Sequence, residues 1–149
     1  PLQMKSTTIE REKVSNQLVK GLDVEGQVTP NWDLNVLQGA GAILSNTQDL
    51  TKFTLAQFNP ANQALALTQK KTFSINPLEN SIGLGWIIVN KKVGKWFLHS
   101  GGTGGYTSYI TLNLEKKNAV IILSNVSGFS EDGVNISNLG SRLMEIIED

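Results

Sequence analysis

The chain has 149 residues, of which 40% are hydrophobic and 17% charged, a composition typical of one globular domain. Thirteen basic and thirteen acidic residues cancel, so there is no cationic surplus for binding nucleic acid, and we expect no such partner. The sequence has no cysteine and one histidine, which excludes disulfides, thiolate metal sites and a multi-histidine metal centre within the chain. The sequence gives no indication of a cofactor.

The first half of the chain is predicted to hold loops and helices. Residues 1–35 are polar and contain several turn-forming residues, so we predict a loop-rich segment. Residues 36–72 are predicted to be helical. Ser45 and Gln48 have the spacing of a capping box, which predicts a helix over 46–58 that ends before Pro60. A second short helix is expected over about 61–70.

The second half changes to an alternating pattern that predicts an antiparallel sheet over 82–125. Its last strand, Ala119–Leu123, is apolar at successive positions, which predicts a strand covered on both faces. Apolar residues then step by three and four, which predicts a C-terminal helix over 133–148. The predicted fold is α+β, with three to four strands, this helix, and one or two helices before the sheet.

One dense motif, His99-Ser100-Gly101-Gly102-Thr103-Gly104-Gly105-Tyr106, begins at a predicted strand end. Its glycines leave the strand open to a substrate, and a backbone N–H such as that of Gly102 suits an oxyanion hole. The imidazole of His99 adds a hydrogen-bonding side chain beside these glycines. The glycine run is not expected to bind phosphate, because a predicted strand and not a helix follows it. For His99, the simplest alternative is a buried structural role or plain exposure to solvent.

This motif resembles the third motif of serine β-lactamase-like hydrolases, which is Lys-Thr-Gly in penicillin-recognising enzymes and His-x-Gly in many esterase- and peptidase-like relatives. Two more blocks are similar to those of the family. Residues 39–50 resemble its small-residue segment before a helix, and residues 1–4 resemble its Pro-Leu-Gly-Met block, with Gln3 in place of glycine. The chain is thus identified as the C-terminal part of a hydrolase of the class C β-lactamase, penicillin-binding-protein and D-Ala-D-Ala carboxypeptidase type.

The resemblance implies that the parent protein hydrolyses an amide or ester through an acyl-enzyme. His99 would then have an electrostatic or hydrogen-bonding role, and Gly102 would be the backbone oxyanion donor. The expected substrate contacts are Ser100, Gly101, Thr103 and Tyr106, and the substrate is a small or peptide-like molecule. The resemblance also suggests a bacterial protein that is periplasmic, extracellular or membrane-anchored.

The sequence departs from the family at the nucleophile, because it contains neither Ser-x-x-Lys nor Tyr-x-Asn. Thr68-Gln69-Lys70-Lys71 and Ser74-Ile75-Asn76 come close in their letters but lie late in the order of blocks. We therefore expect the chain to be inactive alone, with the missing N-terminal part of the same protein as its partner. The alternative is a non-catalytic peptide- or protein-binding module that uses the glycine-rich strand edge.

The resemblance also bears on the last strand, because the family's first strands pair beside it. Without them, residues 119–123 would have an open apolar edge, and such edges recruit partners. We expect either a homo-dimer through this edge or a covering of the edge by residues 1–35.

Overall fold

The computed structural model describes residues 2–76 and 80–149, apart from the side chains of residues 132–134. The helices are α1 (Gln38–Gly41), α2 (Thr47–Gln57), α3 (Gln63–Thr68) and α4 (Glu131–Glu148), with short 3-10 turns at Arg11–Lys13 and Asn35–Leu37. The strands are β1 (Phe73–Ser74), β2 (Asn80–Ile82), β3 (Ile87–Lys91), β4 (Gly94–Gly102), β5 (Thr107–Asn113) and β6 (Asn118–Ser124). In these ranges, no helix has the length and apolar character needed to span a bilayer.

The strands form one antiparallel sheet of six strands in chain order, β1 to β6. The turn after β3 is tight, because Lys91 pairs with Gly94, and Gly94 has a φ of 121° that favours glycine. The predicted α+β class, the antiparallel sheet and the C-terminal helix are confirmed. The sheet has six strands and not three or four, because β1 and β2 have only two and three residues and show no alternation in sequence.

The sheet has a hydrophobic core on each face. On one face, residues from β3, β4 and β5 pack with α2, and the buried members are Trp86, Ile88, Phe97 and Leu112. On the other face, Trp96 and Val120 pack with Met144 of α4. In β6, Ala119 packs against the first core and Val120 belongs to the second. The predicted covering on both faces therefore holds at Ala119 and Val120, whereas Leu123 is 39% exposed.

Helix α2 begins one residue later than the capping-box pattern predicts. Asn46 is the N-cap, and its side chain accepts the N–H of Asp49 at 2.9 Å. Ser45 is not the cap, because its hydroxyl shares a 2.8 Å hydrogen bond with the hydroxyl of Thr7. The expected cap was wrong by one residue, since Asn is as good a capping residue as Ser and the serine is bound elsewhere.

Residues 20–22 pair with the chain immediately after β6. The Leu22 N–H donates to the Asn125 carbonyl at 2.9 Å, and the Leu22 carbonyl accepts the N–H of Ser127 at 2.8 Å. The N-terminal segment thus covers residues 125–127 and not residues 119–123. Within the described ranges, no backbone hydrogen bond reaches the outer edge of β6 over 119–123.

Candidate active site

Strand β4 extends past β3 at the glycine-rich motif. Pairing with β3 ends at Leu98, which lies opposite Ile87, whereas pairing with β5 continues to Gly102, opposite Thr107. Residues 99–102 therefore have β5 on one side and, as far as the structure is described, no strand on the other. All four of these residues are exposed. We call residues 99–102 the overhang.

The direction of the backbone groups in the overhang follows from the hydrogen-bond ladder. The Thr103 N–H donates to the Tyr106 carbonyl at 2.8 Å, so position 103 faces the β5 side. In an antiparallel pair, residues alternate between those that bond to the neighbouring strand and those that face away from it. Ser100 and Gly102 therefore turn their N–H and C=O groups toward the free edge. Gly102 thus presents a backbone donor there, as an oxyanion role requires.

His99 and Ser100 lie on opposite faces of the sheet. His99 pairs with Ile110 and shares a hollow with it on the α2 face. Ser100 pairs with Tyr109, whose hydroxyl shares a 2.9 Å hydrogen bond with Ser141 of α4 on the other face. The two side chains therefore cannot form a dyad, and exposure of His99 rules out the role of a buried structural histidine.

Some of the glycines are needed because other segments cross the motif at very short range. A Cβ on Gly102 would lie 3.1 Å from the Cα of Gly128, which precludes an easy fit for a larger residue. A Cβ on Gly105 would lie 2.8 Å from Cγ2 of Thr29. The glycine content of the motif is thus partly a packing requirement, in addition to keeping the strand edge open.

Thr103 and Tyr106 are engaged in contacts that shape the turn after β4. The Thr103 hydroxyl oxygen accepts the N–H of Tyr106 at 3.1 Å, and the Thr103 carbonyl accepts the N–H of Gly128 at 2.9 Å. The Tyr106 hydroxyl donates to the carbonyl of Val19. Both residues lie beside the overhang, but these polar groups already have partners within the chain.

An exposed aromatic pair, Trp32 and Phe129, flanks the same turn. Their ring centroids are 5.9 Å apart, and the side chains are 45% and 68% exposed. A Cβ on Gly104 would lie 2.8 Å from Nε1 of Trp32, which places the indole against the motif. Sequence reasoning missed this pair because two residues so far apart along the chain meet only in the folded protein.

The near-matches to a nucleophile motif do not supply one at the overhang. Thr68 lines the hollow next to His99, but its hydroxyl donates to the Leu65 carbonyl at 2.7 Å. Ser74 lies in β1, at the far edge of the sheet. Among the described residues, no three His, Asp or Glu side chains are grouped so that they could hold a metal ion.

The antiparallel sheet of six strands, with helices on both faces, resembles a partial β-lactamase fold. The family model described as Beta-lactamase matches residues 1–139, and the chain belongs to this family. Protein flp of Staphylococcus aureus (strain MW2) is 26% identical over 136 residues, which cover 85% of this chain and 27% of that protein.

Solved structures agree with the fold. The β-lactamase/D-alanine carboxypeptidase from Pseudomonas syringae superposes with a TM-score of 0.74 at 16% identity, covering 88% of this chain and 46% of that one. A mutant of a class C β-lactamase gives a TM-score of 0.76 at 19% identity, covering 88% and 45%. The chain therefore spans about a quarter of the curated relative and less than half of these structures.

Proposed function

We propose that the chain forms one wall of the active site of a serine hydrolase that acts on an amide or ester through an acyl-enzyme. The observation that carries this proposal is the overhang of β4, where the exposed imidazole of His99 lies beside outward-facing backbone groups of Ser100 and Gly102. Membership of the β-lactamase family supplies the class of reaction.

Each overhang residue has a distinct role in this proposal. The N–H of Gly102 stabilises the oxyanion of the tetrahedral intermediate, because a fixed donor aimed at the developing charge lowers the barrier. Gly101 keeps the strand edge free of side-chain bulk. His99 stabilises the substrate or the oxyanion by hydrogen bonding or charge. It does not act as the base of a serine dyad with Ser100, which lies on the opposite face.

The nucleophile and its base come, in this proposal, from sequence outside the 149 residues, because the chain contains neither Ser-x-x-Lys nor Tyr-x-Asn. The chain would then have no acyl-transfer activity by itself. The chain covers less than half of each solved relative, which supports the proposal that the nucleophile lies in another part of the protein.

Intact-protein mass spectrometry after treatment with a fluorophosphonate, and separately with penicillin, tests the proposal. The 149-residue chain is expected to keep its mass. A longer protein that contains it is expected to gain one adduct on a serine outside these residues. A covalent adduct on Ser100 or Thr68 of the short chain would contradict the proposal.

A matched pair of substitutions in the longer protein tests the role of the overhang. His99→Gln is expected to slow fluorophosphonate labelling roughly tenfold or more, because it removes the imidazole that stabilises the reacting centre in this proposal. Lys95 is exposed at the opposite end of the same strand. Lys95→Gln is therefore expected to leave the rate of fluorophosphonate labelling unchanged. Equal rates for both variants would exclude His99 from the chemistry.

The outward-facing backbone groups of the overhang also favour a second function, the binding of an extended peptide by strand addition. In that case the chain would be a binding module and the longer protein would have no nucleophile. The sequence preceding residue 1 discriminates between the two functions. Ser-x-x-Lys and Tyr-x-Asn there support the hydrolase, and their absence supports the module.

A further inference from the structure

Helix α4 has an apolar flank that the described part of the chain leaves exposed. Its members recur at steps of three and four residues and are between 38% and 69% exposed: Leu139, Leu143, Ile146 and Ile147. The buried face of the helix is a different one and contains Gly140, Met144 and Glu148. Adjacent apolar side chains exposed on one side of a helix are typical of an interaction surface. We call the four exposed residues the α4 flank.

The α4 flank faces the side of the sheet on which β6 has its open edge. Helix α4 lies over β5 and β6 and contacts both strands. On the other side of the helix, Glu145 reaches Nζ of Lys91 in β3 at 3.2 Å. Glu145 and Leu143 are about 200° apart around the helix, because each residue turns the helix by about 100°. Leu143 therefore points away from β3, toward the outer side of β6.

The middle of the α4 flank is level with the middle of the open edge. Gly140 lies at the level of Ile122, because the β5 ring that it touches belongs to the residue paired with Ile122. Met144 packs with Val120. Four residues of α4 thus advance along the sheet as far as two residues of β6, which is about 6–7 Å in both cases. Leu143, one residue before Met144, is therefore about level with the middle of the open edge.

A second copy that pairs through this edge would bring its own α4 flank into contact. When two identical strands pair antiparallel about a two-fold axis perpendicular to the sheet, both copies of α4 lie on the same face. Because α4 contacts β5 and β6 alike, it lies about one strand spacing from that axis, and the two helices are about 9–10 Å apart. Packed helices have this separation, about 8–10 Å. The twist of the sheet over two strand spacings, about 40–50°, is also close to the commonest crossing angle of packed helices, about 50°.

We propose that the α4 flank is the second layer of a homo-dimer interface, in which it packs against the α4 flank of a second copy. With the axis near Leu143, this leucine meets its own copy, and Leu139 meets Ile147 of the partner subunit. The four flank residues are uncharged, so no like charges meet across the axis. Burial of their apolar surface in both copies favours association. The proposal is independent of the hydrolase activity, because no residue of the overhang takes part in it.

The absence of cysteine from the sequence allows a test with a single introduced thiol. Leu143→Cys places this thiol next to its own copy across the axis, so mild oxidation of the 149-residue chain is expected to give a disulfide-linked dimer. Asn138 is exposed on the same helix but lies about 140° around it from Leu143. Asn138→Cys is therefore the matched control and is expected to stay unlinked. Equal linkage of the two variants, or linkage of neither, would overturn the proposal.

Sedimentation equilibrium measures how much the α4 flank contributes to the affinity between copies. Leu143→Lys puts two like charges at the axis and is expected to raise the dissociation constant of the dimer at least roughly tenfold. Asn138→Lys adds the same charge to the outer side of the helix and is expected to leave this constant unchanged. Since both positions are exposed, circular dichroism is expected to show the same helix content in both variants. Equal dissociation constants for the two variants would exclude the flank from the interface.

A longer protein that contains the chain separates a second copy from another occupant of the α4 flank. In that protein, the Leu143→Cys thiol is expected to react with a maleimide at low concentration and to form the linked dimer at high concentration. A thiol that is blocked in the monomer would mean that another segment of the same chain covers the flank, which overturns the proposal. A dimer that protects the β6 edge but leaves this thiol unlinked would overturn the second layer and leave the strand pairing.

Discussion

The carboxylate of Asp49 accepts the backbone N–H of Ser6 over 2.7 Å, which ties the start of the chain to α2. The same carboxylate accepts hydrogen bonds from the hydroxyl of Thr7 at 3.1 Å and from Nζ of Lys52 at 2.7 Å. Chiefly because of Lys52, and with help from Ser6 and Thr7, the pKa of Asp49 lies below its ordinary value of 3.8, although desolvation acts in the opposite direction.

Stability in acid should therefore depend on Asp49. Since the folded state lowers the pKa, it favours the ionised carboxylate, and this stabilisation is present above the ordinary value and lost as the pH falls below about 3.8. We expect Asp49→Asn to destabilise the protein at neutral pH and to flatten the loss of unfolding free energy in acid. Urea unfolding at a series of pH values measures this. The exposed Asp149→Asn is the control, and identical acid profiles for both variants would contradict the expectation.

Gly140 allows α4 to lie against the ring of Tyr109. A Cβ at this position would overlap the ring at Cδ1 and Cε1. Alanine gains about 1 kcal/mol over glycine in a helix, but overpacking costs about 1–3 kcal/mol, so Gly140→Ala should lower the free energy of unfolding. Gly39→Ala in α1, where no atom lies within 4 Å of the new Cβ, should be neutral or slightly stabilising. Urea unfolding compares the two, and a more stable Gly140→Ala would refute the packing argument.

The buried hydrogen bond from Nε1 of Trp96 to Oε2 of Glu148, at 2.8 Å, joins the sheet to the last turn of α4. Glu148→Ala leaves the indole donor without an acceptor and should cost about 1–3 kcal/mol of stability. Glu148→Gln keeps an acceptor and should cost less. Thermal or urea unfolding ranks the variants, and equal stabilities for Glu148→Ala and Glu148→Gln would show that the hydrogen bond contributes nothing.

The open edge of β6 should lead to self-association, and we propose a homo-dimer through residues 119–123. Along β6, Ile122 lies opposite Tyr109 and Ile121 opposite Ile110. The carbonyl of Asn125 faces outward, because it accepts from Leu22, so alternation places the backbone groups of Ile121 on the outward side as well. No charged residue occupies this strand to block an approaching edge.

Hydrogen exchange and light scattering test the dimer. In dilute solution the Ile121 amide should exchange quickly and the Ile122 amide slowly. At high concentration the mass should approach that of two chains, and the Ile121 amide should become protected. Ile121→Pro, which removes the outward donor, should keep the protein monomeric. A monomer at all concentrations, or a dimer that leaves Ile121 unprotected, would exclude this edge.

The sheet and the last helix were predictable because their signals are local. Alternation in β5 and the steps of three and four in α4 can be read within one element. The strands β1 and β2 were not predictable, since two or three residues cannot show a period. The N-cap of α2 was misplaced because Ser45 and Asn46 are both good caps, and only the contact with Thr7 decides between them.

The candidate site was also predictable from the sequence only in part. The motif from His99 to Gly102 could be found in the sequence, as could the opposite orientation of His99 and Ser100. The free edge could not, because it depends on β3 ending opposite Leu98. The pair of Trp32 and Phe129 likewise arises from a contact between residues that are remote in sequence.

The contact between Gly102 and Gly128 makes the direction of the Gly102 N–H, the proposed oxyanion donor, dependent on the loop that follows β6. Backbone meets backbone there, so no side-chain rotamer can absorb a displacement. Asn125 and Ser127 are in turn hydrogen-bonded to Leu22, so a continuous series of backbone contacts joins the N-terminal segment to the overhang. Substitutions around Leu22 are therefore a route by which the direction of this N–H could change while every residue of the overhang stays the same.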